Sequence, residues 1–218
     1  MNPCLESIRA VLDIAESDYS FESVFRMLKT GVTGIDTEQL ELLENYVISR
    51  GIRGLQWWKR IFSQETMNGL PEGDRQIPVF QGGMQVIAQL EPVTTVLQNS
   101  SQVREYVQAL RDFLEALHMQ EQLEQAVCSF EEDGNLLQAR SYGQIYDKVL
   151  DIWEKLESIL GAEEMKLREF KSILENGFDE IALGVIPPSL DQVMIGDIER
   201  TRLNHVKVLF VIGINDGI

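Results

Sequence analysis

The sequence predicts a mainly α-helical protein with a short α/β piece at its C-terminus. Three observations carry that reading. Apolar residues recur three and four apart, in segment after segment, from Leu5 to Leu174. One continuous apolar block of strand character stands apart, Val206 to Ile214, followed closely by Asn215-Asp216-Gly217. The 218 residues are 44% hydrophobic, which supports a packed core and argues against disorder.

The elements follow in order. Pro3 to Ser17 carries Leu5, Ile8, Val11, Leu12 and Ala15, a helix with one face buried. Ser20 is placed to cap a second helix, with Phe21, Val24, Phe25 and Leu28 as its stripe and Gly31 as its stop. Asp36, with Gln39 three residues on, opens a third helix that runs through Leu40, Leu43, Tyr46 and Val47 to Arg50 and Gly51. Thr66 to Gly83 is rich in Gly, Pro and polar residues and reads as a loop. Met84 to Leu97 has a short helical rhythm that Pro92 interrupts or restarts. From Ser100 to Cys128 a single long amphipathic helix is predicted, striped by Val103, Tyr106, Val107, Leu110, Phe113, Leu114, Leu117, Leu123 and Val127. An acidic turn follows at Glu131 to Asn135. A helix from Tyr142 to Leu160, stopped by Gly161, and another from Ala162 to Asn176 should form an antiparallel pair. Pro187-Pro188 then hands the chain to two strands, Gln192 to Ile195 and Val206 to Ile214. A strand covered on both faces needs neighbours and flanking helices. The expectation is therefore a piece of a larger polypeptide, cut where a parallel sheet is being built.

Composition excludes several functions. With 19 basic and 35 acidic residues the net charge is −16, which disfavours broad contact with phosphates. No apolar run approaches the roughly 20 residues that span a bilayer, and the first ten residues lack the basic head and apolar middle of a secretory leader. Two cysteines, Cys4 and Cys128, make no disulfide framework and point to a reducing, cytoplasmic setting. There is no G-x-x-x-x-G-K-[ST] phosphate loop, no D-x-[DN]-x-[DN]-G calcium loop and no H-E-x-x-H, and His118 and His205 lie far apart in sequence. One stretch runs against the acidic average. Trp57 and Trp58 sit among Arg50, Arg53, Lys59 and Arg60. Rings interleaved with cations suit a single-stranded nucleic-acid platform, where bases stack on the rings and phosphates meet the cations. The same residues also suit a core edge, with tryptophans buried and arginines reaching to water.

The block His205 to Ile218 resembles the strand and turn of superfamily 1A helicases, in which an apolar strand precedes G-x-[NE]-[DE]-G. Met194 to Arg202 occupies the place of the motif that couples ATP to DNA in those proteins, but lacks its Lys-Gly-Leu-Glu core. Leu190 to Val193 with Gly196 to Arg202, Tyr19 to Gly31, and Glu44 to Gly54 are similar to the B subunit of the bacterial AddAB helicase-nuclease family. The resemblance implies that residues 31–184 are a 2B-like helical insertion subdomain. Residues 1–30 and 185–218 would then be its N-terminal flank and truncated C-terminal flank, both from a degenerate second RecA-like lobe. It further implies a parent that is an ATP-dependent DNA helicase-exonuclease of double-strand break repair. Such a parent would use ATP, Mg and an iron–sulfur cluster, pair with an A subunit, and act on DNA ends or single-stranded DNA. The phosphate loop, nuclease carboxylates and cluster cysteines fall outside this sequence, so the piece is expected to steer DNA without a catalytic site or cofactor of its own. Arg200, Arg202 and Lys207 are expected backbone contacts beside the strand, the alternative being salt bridges on the lobe surface. Arg53, Trp57 and Trp58 complete the candidate DNA-binding set. The competing function is a helical adaptor for a partner protein, which an acidic surface and long amphipathic helices also suit.

Overall fold

The computed structural model describes residues 2–72 and 77–184, the last five as backbone. Ten helices follow one another among them: α1 (Pro3–Ser17), α2 (Phe21–Leu28), α3 (Thr37–Arg50), α4 (Leu55–Ile61), α5 (Gln64–Gly69), α6 (Ile77–Asn99), α7 (Val103–Ala116), α8 (Met119–Glu132), α9 (Leu136–Leu160) and α10 (Leu167–Gly184). No strand occurs among the described residues, and one isolated bridge pairs Gln102 with Glu164. The two predicted strands, and Pro187-Pro188, lie outside them.

The N-terminal helices start where side chains can receive their free amides. Asn2 accepts from Cys4 N (2.9 Å), Ser20 from Ser23 N (3.2 Å) and Asp36 from Gln39 N (2.8 Å). The Gln39 side chain does not return to Asp36 as a capping box would. Its amide donates to the Pro78 carbonyl (2.8 Å) and so ties α3 to α6. α1 is enclosed more widely than its stripe predicts, with Cys4, Ile8, Ala10, Val11 and Ile14 all fully buried.

Helix α6 is the hub and packs against α1, α3, α4 and α7. It corrects two expectations. Thr66 to Gly83 is not a loop throughout, because α5 occupies Gln64–Gly69 and α6 begins at Ile77. Pro92 does not break the helix: α6 continues past it to Asn99, although a proline has no N–H to offer the Ala88 carbonyl. Gly82 and Gly83 both sit inside α6, and a neighbour needs the room at Gly83. A Cβ on Gly83 would fall on the Phe62 ring, whereas one on Gly82 would meet Gln39 and Leu43 at 3.4–3.5 Å, ordinary contact. Phe62 is wedged among Trp58 (5.1 Å between centroids), Tyr46 (5.9 Å) and Phe80 (6.0 Å). The loop from Gly31 to Ile35 is gripped by three glutamine amides. Gln85 (2.6 Å) and Gln89 (3.0 Å) both donate to the Thr33 carbonyl, and Gln122 donates to Val32 (2.9 Å).

The long helix predicted from Ser100 to Cys128 is two helices. His118 takes a left-handed conformation (φ 51) between α7 and α8 although it is not glycine. Gln122 bonds the Leu117 carbonyl (2.7 Å) across the break, and Leu117 and Met119 are buried on either side of it. α9 starts six residues before Tyr142, capped by Asn135, whose side chain accepts from Gln138 N (3.3 Å). α10 starts later than Ala162 and does not close at Asn176-Gly177. Residues 161–166 first run beside the start of α7, with Met165 N donating to Ser101 O (2.8 Å) and Val103 N to Glu163 O (3.2 Å). Gly177 then lets α10 press on α9, where a Cβ would meet Ile152 at 3.2 Å. α10 packs on α1 and α9 and buries Phe170, Leu174 and Phe178, with the Phe170 ring 5.0 Å from that of Tyr106 on α7 and Phe178 beneath the Arg9 guanidinium. At the rim Arg9 pairs with Glu175 (2.8 Å), and Lys171 with Asp13 and Glu16. Rim pairs of this kind contribute up to about 1 kcal/mol each, so the apolar contact decides the docking.

Two outcomes are expected of stability measurements. Gly83→Ala should cost about 1–3 kcal/mol by overpacking, while Gly82→Ala should be neutral or stabilising by up to about 1 kcal/mol; paired denaturant melts check this. Burial pushes the Tyr19 hydroxyl up to about 12. Between its ordinary range and that value the folded state keeps a proton the unfolded chain releases, so stability should fall as pH rises past about 10. Tyr19→Phe should flatten that decline in a pH series of melts.

Candidate nucleic-acid interface

The cationic stretch singled out in sequence spans the end of α3, a tight turn and α4. Gly51 (φ 60) closes α3, and the Ile52 amide reaches back to the Val47 carbonyl (3.1 Å). Ile52 is buried and anchors the turn, which leaves Arg50 and Arg53 on either side of it exposed. Gly54 (φ 80) then starts α4 with no side-chain cap of its own. The Leu55 amide donates instead to the Asp18 carboxylate at the end of α1 (3.2 Å).

Two adjacent tryptophans on a helix point about 100° apart, and here one faces in and one out. Trp58 is 1% exposed and packs on Phe62; Trp57 is 55% exposed. Trp58 is therefore core, and its ring cannot meet a base. Trp57 carries the Arg60 guanidinium 5.6 Å from its ring centre, and Arg50 lies 5.5 Å from the centre of the Tyr46 ring. Lys59 is neutralised by Glu91 (2.7 Å). No ion pair joins Arg50, Arg53 or Arg60 to another described residue. No Asp or Glu occurs between Glu44 and Glu65. In a chain of charge −16 the stretch from Arg50 to Arg60 thus exposes three guanidinium groups outside any described ion pair and one indole, on which Arg60 stacks. Arg53 and Trp57 of the predicted set are both exposed, as are Arg50 and Arg60, and Arg60 lies on the Trp57 ring. The acid-free window was the sequence signal for Arg50 and Arg60. Arg200, Arg202 and Lys207 lie outside the described residues.

Other chemistry is poorly supplied. Two open depressions are acidic. One of about 330 Å³ is lined by Asp13, Glu16 and Glu22 with Ser17, Ser20, Ser23 and Arg26, and one of about 590 Å³ by Glu121, Glu124, Glu132, Gln125, Cys128 and Ser129. No group of three potential metal ligands exists among the described residues. The cysteines do not fit an iron–sulfur cluster, which takes four thiolates. Cys4 is buried in α1 with burial pushing its thiol up to about 12, and Cys128 is exposed on α8. No described helix is long and apolar enough to cross a membrane.

Comparison with known proteins finds relatives of this chain among helicase-nuclease subunits. No protein-family model matches it. A protein of Lachnoclostridium phytofermentans is 37% identical over 221 residues, one of Acetivibrio thermocellus 37% over 229, and one of Clostridium botulinum (Loch Maree) 31% over 223; each is named as the B subunit of an ATP-dependent helicase/deoxyribonuclease. These matches cover 100% of this chain and 19–20% of the relatives. The chain is related along its whole length to the ATP-dependent helicase/deoxyribonuclease B subunit, and it spans about a fifth of the length of those relatives.

Of the three tryptophans, Trp58 and Trp153 are buried and Trp57 is open. Iodide should therefore quench a single emitting component, and Trp57→Phe should abolish the quenchable fraction while the melt stays unchanged. Quenching that persists in the variant would mean that Trp58 or Trp153 is exposed.

Proposed function

We propose that this chain is a DNA-steering segment, without a catalytic site of its own, of an ATP-dependent helicase-exonuclease that processes DNA ends in double-strand break repair. In this reading the surface formed by α3 and α4 touches a single strand. The observation that supports it is the exposed stretch that carries Arg50, Arg53 and Arg60, outside any described ion pair, and the open ring of Trp57. Guanidinium groups meet phosphates as forked donors, and an open indole offers a face to any base, so the surface suits an unpaired strand better than a closed duplex. Residues 31–184 would be the 2B-like insertion, and residues 1–30 and 185–218 parts of a degenerate RecA-like lobe. Arg200, Arg202 and Lys207 would add contacts from that lobe. ATP, Mg and an iron–sulfur cluster would belong to other parts of the parent, which would work in the cytoplasm beside a companion A subunit.

A second reading has its own observation. Leu136 (59%) and Leu137 (58%) stand exposed at the start of α9, beside Glu131, Glu132 and Asp133, as an adaptor tip would. DNA binding discriminates the two. Fluorescence anisotropy with a labelled oligothymidylate at low salt should give micromolar affinity that falls steeply with added salt. Three phosphate contacts correspond to a log–log slope of about −2 for a single strand. Arg53→Ala should reduce that slope by about 0.7, and Trp57→Ala should cost about 1–3 kcal/mol. An Arg200→Ala, Arg202→Ala, Lys207→Ala triple variant should weaken binding further. No binding at low salt would overturn the DNA reading in favour of the adaptor.

A further inference from the structure

We infer that Asp18 is the positioning residue of the α3–α4 surface: its carboxylate, held at the end of α1, fixes the direction in which α4 turns Trp57 and Arg60 to solvent. The inference rests on the DNA reading for its purpose, and on geometry alone for its mechanism. α4 has seven residues and no side-chain cap, because Gly54 stands at its N-cap position. A helix that short does not hold itself in water, so its direction must come from outside. Asp18 Oδ1 accepts the Leu55 amide at 3.2 Å from 37 positions away in sequence. A negative group at that end also suits the positive end of the helix. Gly54 is adapted to this contact twice over. A Cβ there would stand 3.0 Å from Asp18 Oδ2, and its φ of +80 is one that other residues rarely adopt.

The other side of the contact is just as constrained. Asp18 (φ 48) and Tyr19 (φ 57) are consecutive non-glycine residues in the left-handed region. Asp enters that region more readily than most, whereas a bulky Tyr there is an outlier. Such backbone persists only when its surroundings over-determine it. Here they do: the Tyr19 hydroxyl is tied to the buried Thr94 hydroxyl of α6 at 2.9 Å, and the Asp18 and Tyr19 amides both return to the Ile14 carbonyl. The corner is pinned to the hub helix, and the one polar group it aims outward is received by the first amide of α4.

The test compares Asp18→Ala with Asp18→Asn in this chain, alone and with Trp57→Ala. Asn can accept the same amide, so Asp18→Asn should match the parent in iodide quenching of Trp57 and stay within twofold in oligothymidylate affinity. Asp18→Ala should change the quenching constant and weaken binding about fivefold, within the roughly 2- to 30-fold that the loss of a helix cap represents. In the Trp57→Ala background Asp18→Ala should add little, because the group it aims is gone. Multiplicative losses in the double variant, or quenching and affinity both unmoved in Asp18→Ala, would overturn the inference. If the parent chain binds no oligothymidylate, the DNA reading fails and the quenching comparison alone decides the role of Asp18.

Discussion

The Tyr19 and Thr94 hydroxyls meet 2.9 Å apart where neither residue reaches solvent. Thr94 donates onward to the Leu90 carbonyl (2.8 Å), so Tyr19 donates to Thr94. A buried hydroxyl without a partner is costly, and each of these is satisfied by another helix or its own. The bond fastens the corner after α1 to α6, the helix against which α1, α3, α4 and α7 all pack. Because α4 takes its first acceptor from that corner, the exposed face of Trp57 is set by an interaction in the core. Stability and the presentation of the candidate surface are thus coupled through two residues, Asp18 and Tyr19.

Charge is distributed in a way that net charge alone conceals. Six basic side chains are used internally. Arg9 pairs with Glu175, Arg26 with Glu6 and Asp13, Lys29 with Glu44, Lys59 with Glu91, Arg111 with Glu157, and Lys171 with Asp13 and Glu16. What remains around Trp57 is unpaired among the described residues. An acidic body repels a polyanion, and an exposed cationic stretch admits it locally, which is how charge steers without adding much affinity.

Much of the fold was legible where local chemistry decides it. Ser20, Asp36, Gly51 and Gly161 begin or end helices as their side chains, or lack of one, dictate. Legibility failed where a distant partner overrides the local signal. Gly82-Gly83 reads as a loop until the Phe62 ring is seen to need the space. Pro92 reads as a break, yet α6 is held on four sides. At His118 no glycine marks the break, and the one local sign was a slip of phase: Leu123 and Val127 fall off the face that Val103 to Leu117 share. Gly177 looked like a stop and is instead a contact with Ile152. At the candidate site the cations and tryptophans were visible as a cluster, but which indole faces out depends on the aromatic group beneath it, and that is a tertiary fact. The homology to a helicase-nuclease subunit was visible in the wording of three separate blocks, which composition could not have supplied.

The glutamine grip on residues 31–35 bears on how such chains drift apart. Three amides from α6 and α8 find two consecutive carbonyls, so one added or lost residue there would misregister every one of them at once. The bend between α8 and α9 has no comparable anchor, and residues 131–138 are all exposed. Insertions and deletions that separate one bacterial version from another should therefore accumulate at that bend and spare the gripped loop, whose length is a spacing rule imposed by side chains far away in sequence.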